Sequence, residues 1–321
     1  MKRVLFTGDT LSDAQRKEFL EKGFEFVPAS YDLSEDEVAN LLKDCDGYIL
    51  GGDEIVTETM LEKAGSRVKA ISFFGAGYEK YIDTIATAKR GIMVANTPGA
   101  NANSVAEFTI ALLLAATKDV VSNVNMVKRG EWDRPKTFDL CGRTVGIIGM
   151  GNIGHIVARI LHFGFGMNVI YNSRRAKPEI DKECDAQMVS LEELLQRSDI
   201  ITIHSSLTEE TRNMIGEKEF ALMKDGVILV DTARVEIIQE DALIKALESG
   251  KVLRCAFDGF YSEPIDSSVV QNHSLLKMDD KKIIVTPHMA YYTSDAISKM
   301  EKMAIDNVLE MLSTGTCKNL V

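Results

Sequence analysis

One short run constrains this chain more than any other feature. Val145-Gly146-Ile147-Ile148 reads as a buried strand, and Gly149-Met150-Gly151-Asn152-Ile153-Gly154 follows it directly, ahead of a helix-like segment at 155–162. A G-x-G-x-x-G pattern means little alone, but between a strand and a helix it has a physical reading. Gly149 allows the tight turn, Gly151 lets the backbone approach a pyrophosphate, and Gly154 lets helix and strand pack closely, with the helix N-terminus facing the anion. The run predicts a dinucleotide-binding unit with Asn152 and Ile153 in its loop.

The end of the next strand bears on which dinucleotide. An acidic residue is expected near Asn172 where a free ribose 2′-hydroxyl is to be held. The chain instead reads Tyr171-Asn172-Ser173-Arg174-Arg175. That removes an anion that would repel a 2′-phosphate and supplies a hydroxyl and two guanidinium groups that could bind one. NADP(H) is the expected cofactor and NAD(H) the alternative. One charge-assisted hydrogen bond, at about 1.5–3 kcal/mol, supports roughly a ten- to hundredfold preference.

The surrounding chain alternates between strand-like and helix-like segments. Strand-like runs fall at 4–7, 24–27, 47–50, 69–74 and 92–96, then at 144–149, 167–171, 199–204, 226–231, 254–260 and 282–286. Such alternation predicts parallel sheets. The expected fold is α/β with two doubly wound parallel-sheet domains, a Rossmann NAD(P)-binding domain of six strands inserted into a flavodoxin-like substrate domain. The boundaries are placed at 1–99 with 290–321 for the substrate domain, and at 100–289 for the Rossmann domain. Ser104-Val105-Ala106-Glu107 has the spacing of a capping box and predicts the start of one long helix ending near Arg129-Gly130. The helical tail from Thr293 to about Met311 is expected to return to the first domain.

Composition narrows the partners. Forty-eight acidic against 37 basic side chains give a net charge of −11, which repels a phosphate backbone, so nucleic acid is not an expected partner. The most apolar helical stretch, 110–116, is far short of a membrane span. The start runs straight into a strand without a secretory leader. Five scattered cysteines, Cys45, Cys141, Cys184, Cys255 and Cys317, form no metal-binding or redox pair. A cytoplasmic protein that begins where the sequence does and needs no metal is the expectation.

Three further stretches fall at the carboxyl ends of later strands. They are Asp231-Thr232-Ala233-Arg234, Asp258-Gly259-Phe260-Tyr261-Ser262-Glu263-Pro264 and Thr286-Pro287-His288. With Gly75-Ala76-Gly77-Tyr78, Asn96-Thr97-Pro98-Gly99, Gly130-Glu131-Trp132 and the glycine loop, they resemble the D-isomer-specific 2-hydroxyacid dehydrogenase family over nearly the whole chain. The resemblance implies a catalytic trio of Arg234, Glu263 and His288. It also implies that Asp258 contacts the nicotinamide side of the cofactor and that the Gly75-Ala76-Gly77 backbone binds the substrate carboxylate. Ser205, Thr232 and Ala233 are expected to line the cofactor groove.

The chemistry of a 2-oxo acid agrees with these residue types. Arginine offers a fork for the carboxylate and the carbonyl oxygen. Histidine titrates near neutrality and can give or take one proton, and a neighbouring glutamate would orient the ring and favour its charged form. The resemblance thus implies substrate contacts from Gly75, Ala76, Gly77, Arg234 and His288.

Departures from the family pattern bear on the substrate. Val235 stands where the family has glycine after its arginine, and a valine would be strained if that place required a positive φ. Glu79 replaces an aspartate, and Met289-Ala290-Tyr291-Tyr292 replaces a glycine-rich run. Gly51, Gly52, Phe73 and Phe74 occupy a neighbourhood where arginines would grip a phosphate. A small unphosphorylated 2-oxo or 2-hydroxy acid such as glyoxylate or hydroxypyruvate is expected, with 3-phosphoglycerate dehydrogenase as the alternative enzyme and a dinucleotide-sensing binding protein as the alternative of another class. The long helix after Ser104 resembles the family's dimerisation element, so a homodimer is expected.

Overall fold

The computed structural model describes residues 1–31 and 33–321. The chain divides into two compact units, Met1–Asn101 with Ser294–Val321, and Ala102–Thr293.

In the first unit the elements run β1 (Lys2–Thr7), α1 (Asp13–Glu21), β2 (Phe24–Ala29), α2 (Glu35–Leu42), β3 (Gly47–Leu50), α3 (Glu58–Ala64), β4 (Ala70–Phe73), α4 (Thr84–Lys89) and β5 (Met93–Ala95). Capping boxes at Ser12 with Gln15 and Ser34 with Glu37 start α1 and α2, satisfying backbone donors that have no partner inside the helix. The parallel strands lie in the order β2-β1-β3-β4-β5, the flavodoxin-like arrangement. Strands β3 and β4 are buried throughout, as a sheet covered on both faces requires.

The second unit contains α5 (Ala102–Thr117), α6 (Val120–Lys128), β6 (Thr144–Ile148), α7 (Asn152–Arg159), β7 (Asn168–Asn172), α8 (Pro178–Cys184), β8 (Gln187–Met188) and α9 (Leu191–Arg197). It continues with β9 (Ile200–Ile203), α10 (Glu217–Leu222), β10 (Val227–Asp231), α11 (Glu240–Ser249), β11 (Val252–Asp258), α12 (Ser267–Asn272) and β12 (Ile283–Thr286). Its order, β12-β11-β10-β9-β6-β7-β8, is a Rossmann sheet whose strand order reverses between β6 and β9. The carboxyl ends of those two strands flank the crevice where such folds bind ligands. The last helix, α13 (Ser294–Thr314), belongs to the first unit, where Ala304, Ile305, Val308 and Met311 share a buried cluster with Val4, Phe6 and Ile49.

Three expectations need correction. The second sheet has seven strands rather than six, because β8 is only two exposed residues long and too short to show alternation in sequence. Ser104 is no cap: α5 begins at Ala102, and the Ser104 hydroxyl instead bonds to Thr293 Oγ1 at 2.7 Å. The long helix is two helices, parted at Asp119, whose φ is 56°. The break is held from another element. Arg254 of β11 donates from Nη1 to the Ala116 carbonyl and pairs through Nη2 with Asp119 Oδ1 at 3.0 Å, so a buried side chain takes over an acceptor that the next helical turn would have used.

Candidate active site

The glycine loop shows which of its glycines the protein itself demands. Gly149 has a φ of 97°, and a Cβ there would lie 2.6 Å from the backbone carbon of His204. A Cβ on Gly154 would lie 2.2 Å from the Gly149 carbonyl oxygen. Gly151 differs: its φ is −87°, and no protein atom lies within 4 Å of where its Cβ would be. Neither backbone nor packing requires glycine there, which leaves the approach of a ligand as the reason for it. Gly151 is also the N-cap of α7 and offers no side chain to the first-turn N–H groups. Donors of this kind suit a phosphate. Across the crevice, His204 turns Nε2 to Thr202 Oγ1 at 2.9 Å and leaves a buried Nδ1 without a partner among the described residues. Burial lowers its pKa to about 3. These residues fit the phosphate portion of a dinucleotide.

At the end of β7 the Asn172 carbonyl accepts from Gly149 N at 2.9 Å, and Asn172 Nδ2 donates to the Val189 carbonyl at 2.9 Å. The Asn172 side chain is thus partly committed to the edge of the sheet. Ser173 Oγ donates to the Arg175 carbonyl at 2.5 Å and closes a short turn. The Arg174 and Arg175 side chains are exposed, and among the described residues neither has an ion-pair or hydrogen-bond partner. Ser205 lies beside the glycine loop, its backbone nitrogen 2.6 Å from where a Gly149 Cβ would be. The Thr232 hydroxyl faces α5, bonded to Thr109 Oγ1 at 2.8 Å, so any contact it makes in the groove is left to its backbone.

Arg234, Glu263 and His288 come together from three strand ends. His288 Nδ1 lies 3.1 Å from Glu263 Oε2, and Glu263 Oε1 accepts from the Phe260 backbone N–H at 2.7 Å, which fixes the carboxylate in place. Gly259, with a φ of 112°, makes room for it, because a Cβ there would stand 2.7 Å from Glu263 Oε1. On the other side of the ring, Arg234 Nη1 lies 3.5 Å from His288 Nε2 and donates to the Ala233 carbonyl at 2.8 Å. With Nδ1 turned to the carboxylate, Nε2 and the guanidinium are left to address a common acceptor. His288 itself has a φ of 52°, a conformation that costs a non-glycine residue free energy and must be held by its surroundings.

The holding group is Asp258. Its Oδ1 accepts from Thr286 Oγ1 at 2.6 Å and Met289 N at 2.9 Å, while Oδ2 accepts from Ala290 N at 2.7 Å. Only 5% exposed, Asp258 pins both ends of the turn that carries His288. Within the first unit, the Gly75-Ala76-Gly77 turn has both leading carbonyls engaged, Gly75 by Thr97 N at 2.9 Å and Ala76 by Asn96 Nδ2 at 2.8 Å. Its three N–H groups make no bond among the described residues.

Known proteins resemble this chain in sequence and in fold. Residues 110–290 match the model of the D-isomer specific 2-hydroxyacid dehydrogenase, NAD binding domain. The chain belongs to the D-isomer specific 2-hydroxyacid dehydrogenase family. It is 41% identical over 264 residues to a glyoxylate reductase of Aeropyrum pernix, covering 79% of this chain and 76% of that one. It is 35% identical to a D-3-phosphoglycerate dehydrogenase of Methanocaldococcus jannaschii, over 100% of this chain but 59% of the other. The crystal structure of a glyoxylate reductase from Paecilomyes thermophila superposes with a TM-score of 0.86 at 30% identity, covering 100% and 98% of the two chains. As a member of the family the protein is an oxidoreductase that uses a nicotinamide dinucleotide and acts on CH–OH donors.

For this 2-hydroxyacid dehydrogenase two points of the sequence reading change. Val235 is not at positive φ; it opens a 3-10 turn, Val235–Ile237, and is buried in the apolar cluster beneath the site, so the anticipated strain does not arise. Asp231 went unrecognised as more than the opening of a motif. Its one sequence signal is an acid at the last position of an otherwise wholly apolar strand.

Proposed function

We propose that this dehydrogenase reduces a short unphosphorylated 2-oxo acid, glyoxylate or hydroxypyruvate, with NADPH, forming the D-hydroxy acid where the product is chiral. The observation that carries the reading is the Glu263–His288–Arg234 cluster, in which an oriented imidazole and a guanidinium approach within 3.5 Å of each other. Arg234 holds the substrate carboxylate and polarises the carbonyl oxygen. Bound NADPH supplies a hydride to the carbonyl carbon. As the C=O bond becomes C–O, His288 Nε2 gives its proton to that oxygen, and Glu263 retains Nδ1–H and offsets the ring's charge. Asp258 keeps the imidazole in its left-handed turn. In the oxidation direction Nε2 takes the hydroxyl proton back. The N–H groups of Gly75, Ala76 and Gly77 form a donor-lined loop suited to a carboxylate.

Preference for the 2′-phosphorylated cofactor rests on Arg174 and Arg175, two uncompensated guanidinium groups at the end of β7. Self-association as a homodimer is supported by α6, whose exposed Val120, Val124 and Val127 recur at helical spacing, and by the 79%-exposed Trp132. Relatives named glyoxylate reductase favour the small substrate, and the phosphoglycerate dehydrogenase relative keeps 3-phosphohydroxypyruvate in the test. Retention of all three catalytic residue types weighs against a binding protein without turnover.

The test is initial rates of NADPH and NADH oxidation with glyoxylate, hydroxypyruvate, pyruvate and 3-phosphohydroxypyruvate, repeated with Arg174→Ala/Arg175→Ala. Turnover of glyoxylate or hydroxypyruvate that favours NADPH, with the preference lost in the double variant, is expected. A clear NADH preference in the wild type would remove the cofactor assignment alone. Fastest turnover of the phosphorylated acid would replace the substrate.

A further inference from the structure

Asp231 ends β10, three residues before Arg234, and is 1% exposed. Its Oδ1 accepts the Ala233 N–H at 2.7 Å, closing an Asx turn, while Oδ2 is buried with no partner among the described residues. The strand neighbours in register, Ile203 of β9 and Phe257 of β11, cannot titrate and belong to one apolar cluster with Val235, Ile237 and Phe260. Charged and titratable groups around it are few: Arg234 and Glu236 in the following segment, and Tyr261 beyond β11, whose hydroxyl donates to the Ile238 carbonyl at 3.0 Å. A carboxylate with one oxygen unbonded in such a place loses its hydration without a replacement, so the neutral carboxyl is favoured. The neutral carboxyl still accepts the Ala233 bond.

We propose that Asp231 is the positioning residue that presents Arg234, acting as a neutral carboxyl, and that its ionisation weakens the hold on an anionic substrate. The second half rests on the reductase reading. The first half concerns the fold alone. Burial pushes the Asp231 carboxyl up to about 7, against the backbone N–H groups of Ala233 and Arg234 and the Arg234 charge, which pull it down. Once ionised, it places a negative charge beside the guanidinium that must bind the substrate, reducing the positive potential there. The sign for stability follows: a carboxyl raised by folding stabilises most below its unfolded value of about 3.9, and that contribution disappears as the pH rises through about 7.

The experiment compares wild type, Asp231→Asn and Asp231→Ala. Melting temperature is read from about pH 4 to about pH 9, together with KM for glyoxylate with NADPH. Asp231→Asn keeps the Asx acceptor and cannot ionise. It should lack the contribution to melting temperature that Asp231 loses between about pH 4 and about pH 7 in the wild type, and the roughly tenfold rise in KM through about pH 7 expected there, a factor of ten being about 1.4 kcal/mol. Below about pH 6, where the wild-type carboxyl is neutral, Asp231→Ala should raise KM about tenfold while NADPH affinity, read by fluorescence titration, stays within about twofold. An Asp231→Asn enzyme that parallels the wild type in either profile overturns the proposal, as does a folded Asp231→Ala enzyme with wild-type KM below about pH 6. If the wild type turns over no 2-oxo acid, the reductase reading fails by itself, and the melting profiles still decide the state of Asp231.

Discussion

Gly151 and Gly154 stand three positions apart, yet their substitution should leave opposite signatures. Gly154→Val forces a side chain onto the Gly149 carbonyl and should cost about 3 kcal/mol or more of stability, read as a lowered melting temperature. Gly151→Val puts its Cβ where no protein atom lies within 4 Å and should cost no more than about 1 kcal/mol, the loss of a better N-cap, while abolishing dinucleotide binding in a fluorescence titration. A Gly151→Val protein that still binds the cofactor would remove the ligand as the reason for that glycine. Among the polar residues, His288→Ala should lower kcat by about 10²- to 10⁴-fold, the usual contribution of a positioned acid. Glu263→Gln keeps an acceptor for the Phe260 N–H but not the charge beside Nδ1, so its loss should fall on kcat and its pH profile rather than on cofactor affinity.

At the scale of elements, the buried pair of Arg254 and Asp119 decides where α5 stops and α6 starts. Desolvation pushes Asp119 up and Arg254 down even though each stabilises the other's charge. Removal of water therefore outweighs attraction at this pair, as is common for buried ion pairs. Asp119→Asn, which tolerates the left-handed backbone but leaves Arg254 uncompensated, should destabilise by about 3 kcal/mol in denaturant unfolding. Adding Arg254→Met should recover most of that loss. A double variant no more stable than the single one would mean that the pair is worth more than its desolvation. Strand positions and the glycine loop were legible beforehand because apolar runs bounded by glycine and polar residues are local signals. The helix break was not, since the apolar spacing of 105–127 continues through it and the cause is a side chain from β11. The two-residue β8 carries too little sequence to register as a strand.

Across the whole molecule, two buried titratable groups pull stability in opposite directions as the pH changes. His204, held neutral with a pKa lowered to about 3, contributes fully above its unfolded value of about 6.5, and that contribution is lost as the pH falls through about 3. Asp231 works against it, its contribution being lost between about pH 3.9 and about pH 7. The two nearly offset each other from about pH 4 to about pH 6.5, so His204→Asn should turn that plateau of the melting-temperature profile into a fall between about pH 4 and about pH 7. A chain of net charge −11 also repels itself, so a homodimer formed through the valines of α6 should tighten with added salt. Sedimentation of the wild type and Val124→Glu across salt concentrations would show this, and a monomer throughout would remove the dimer. The sequence by itself determined the two parallel sheets and the dinucleotide loop, because strands and loop are written in contiguous residues whose period and spacing can be read physically, whereas the trio of Arg234, Glu263 and His288 came from the resemblance to a family. Only the tertiary structure decided what holds those residues in place. Asp258 bracing the His288 turn, Asp231 folding the approach to Arg234 and Arg254 ending α5 each depend on a buried polar group finding its partner or lacking one. That is settled by which segments the fold brings together, and linear spacing does not record it.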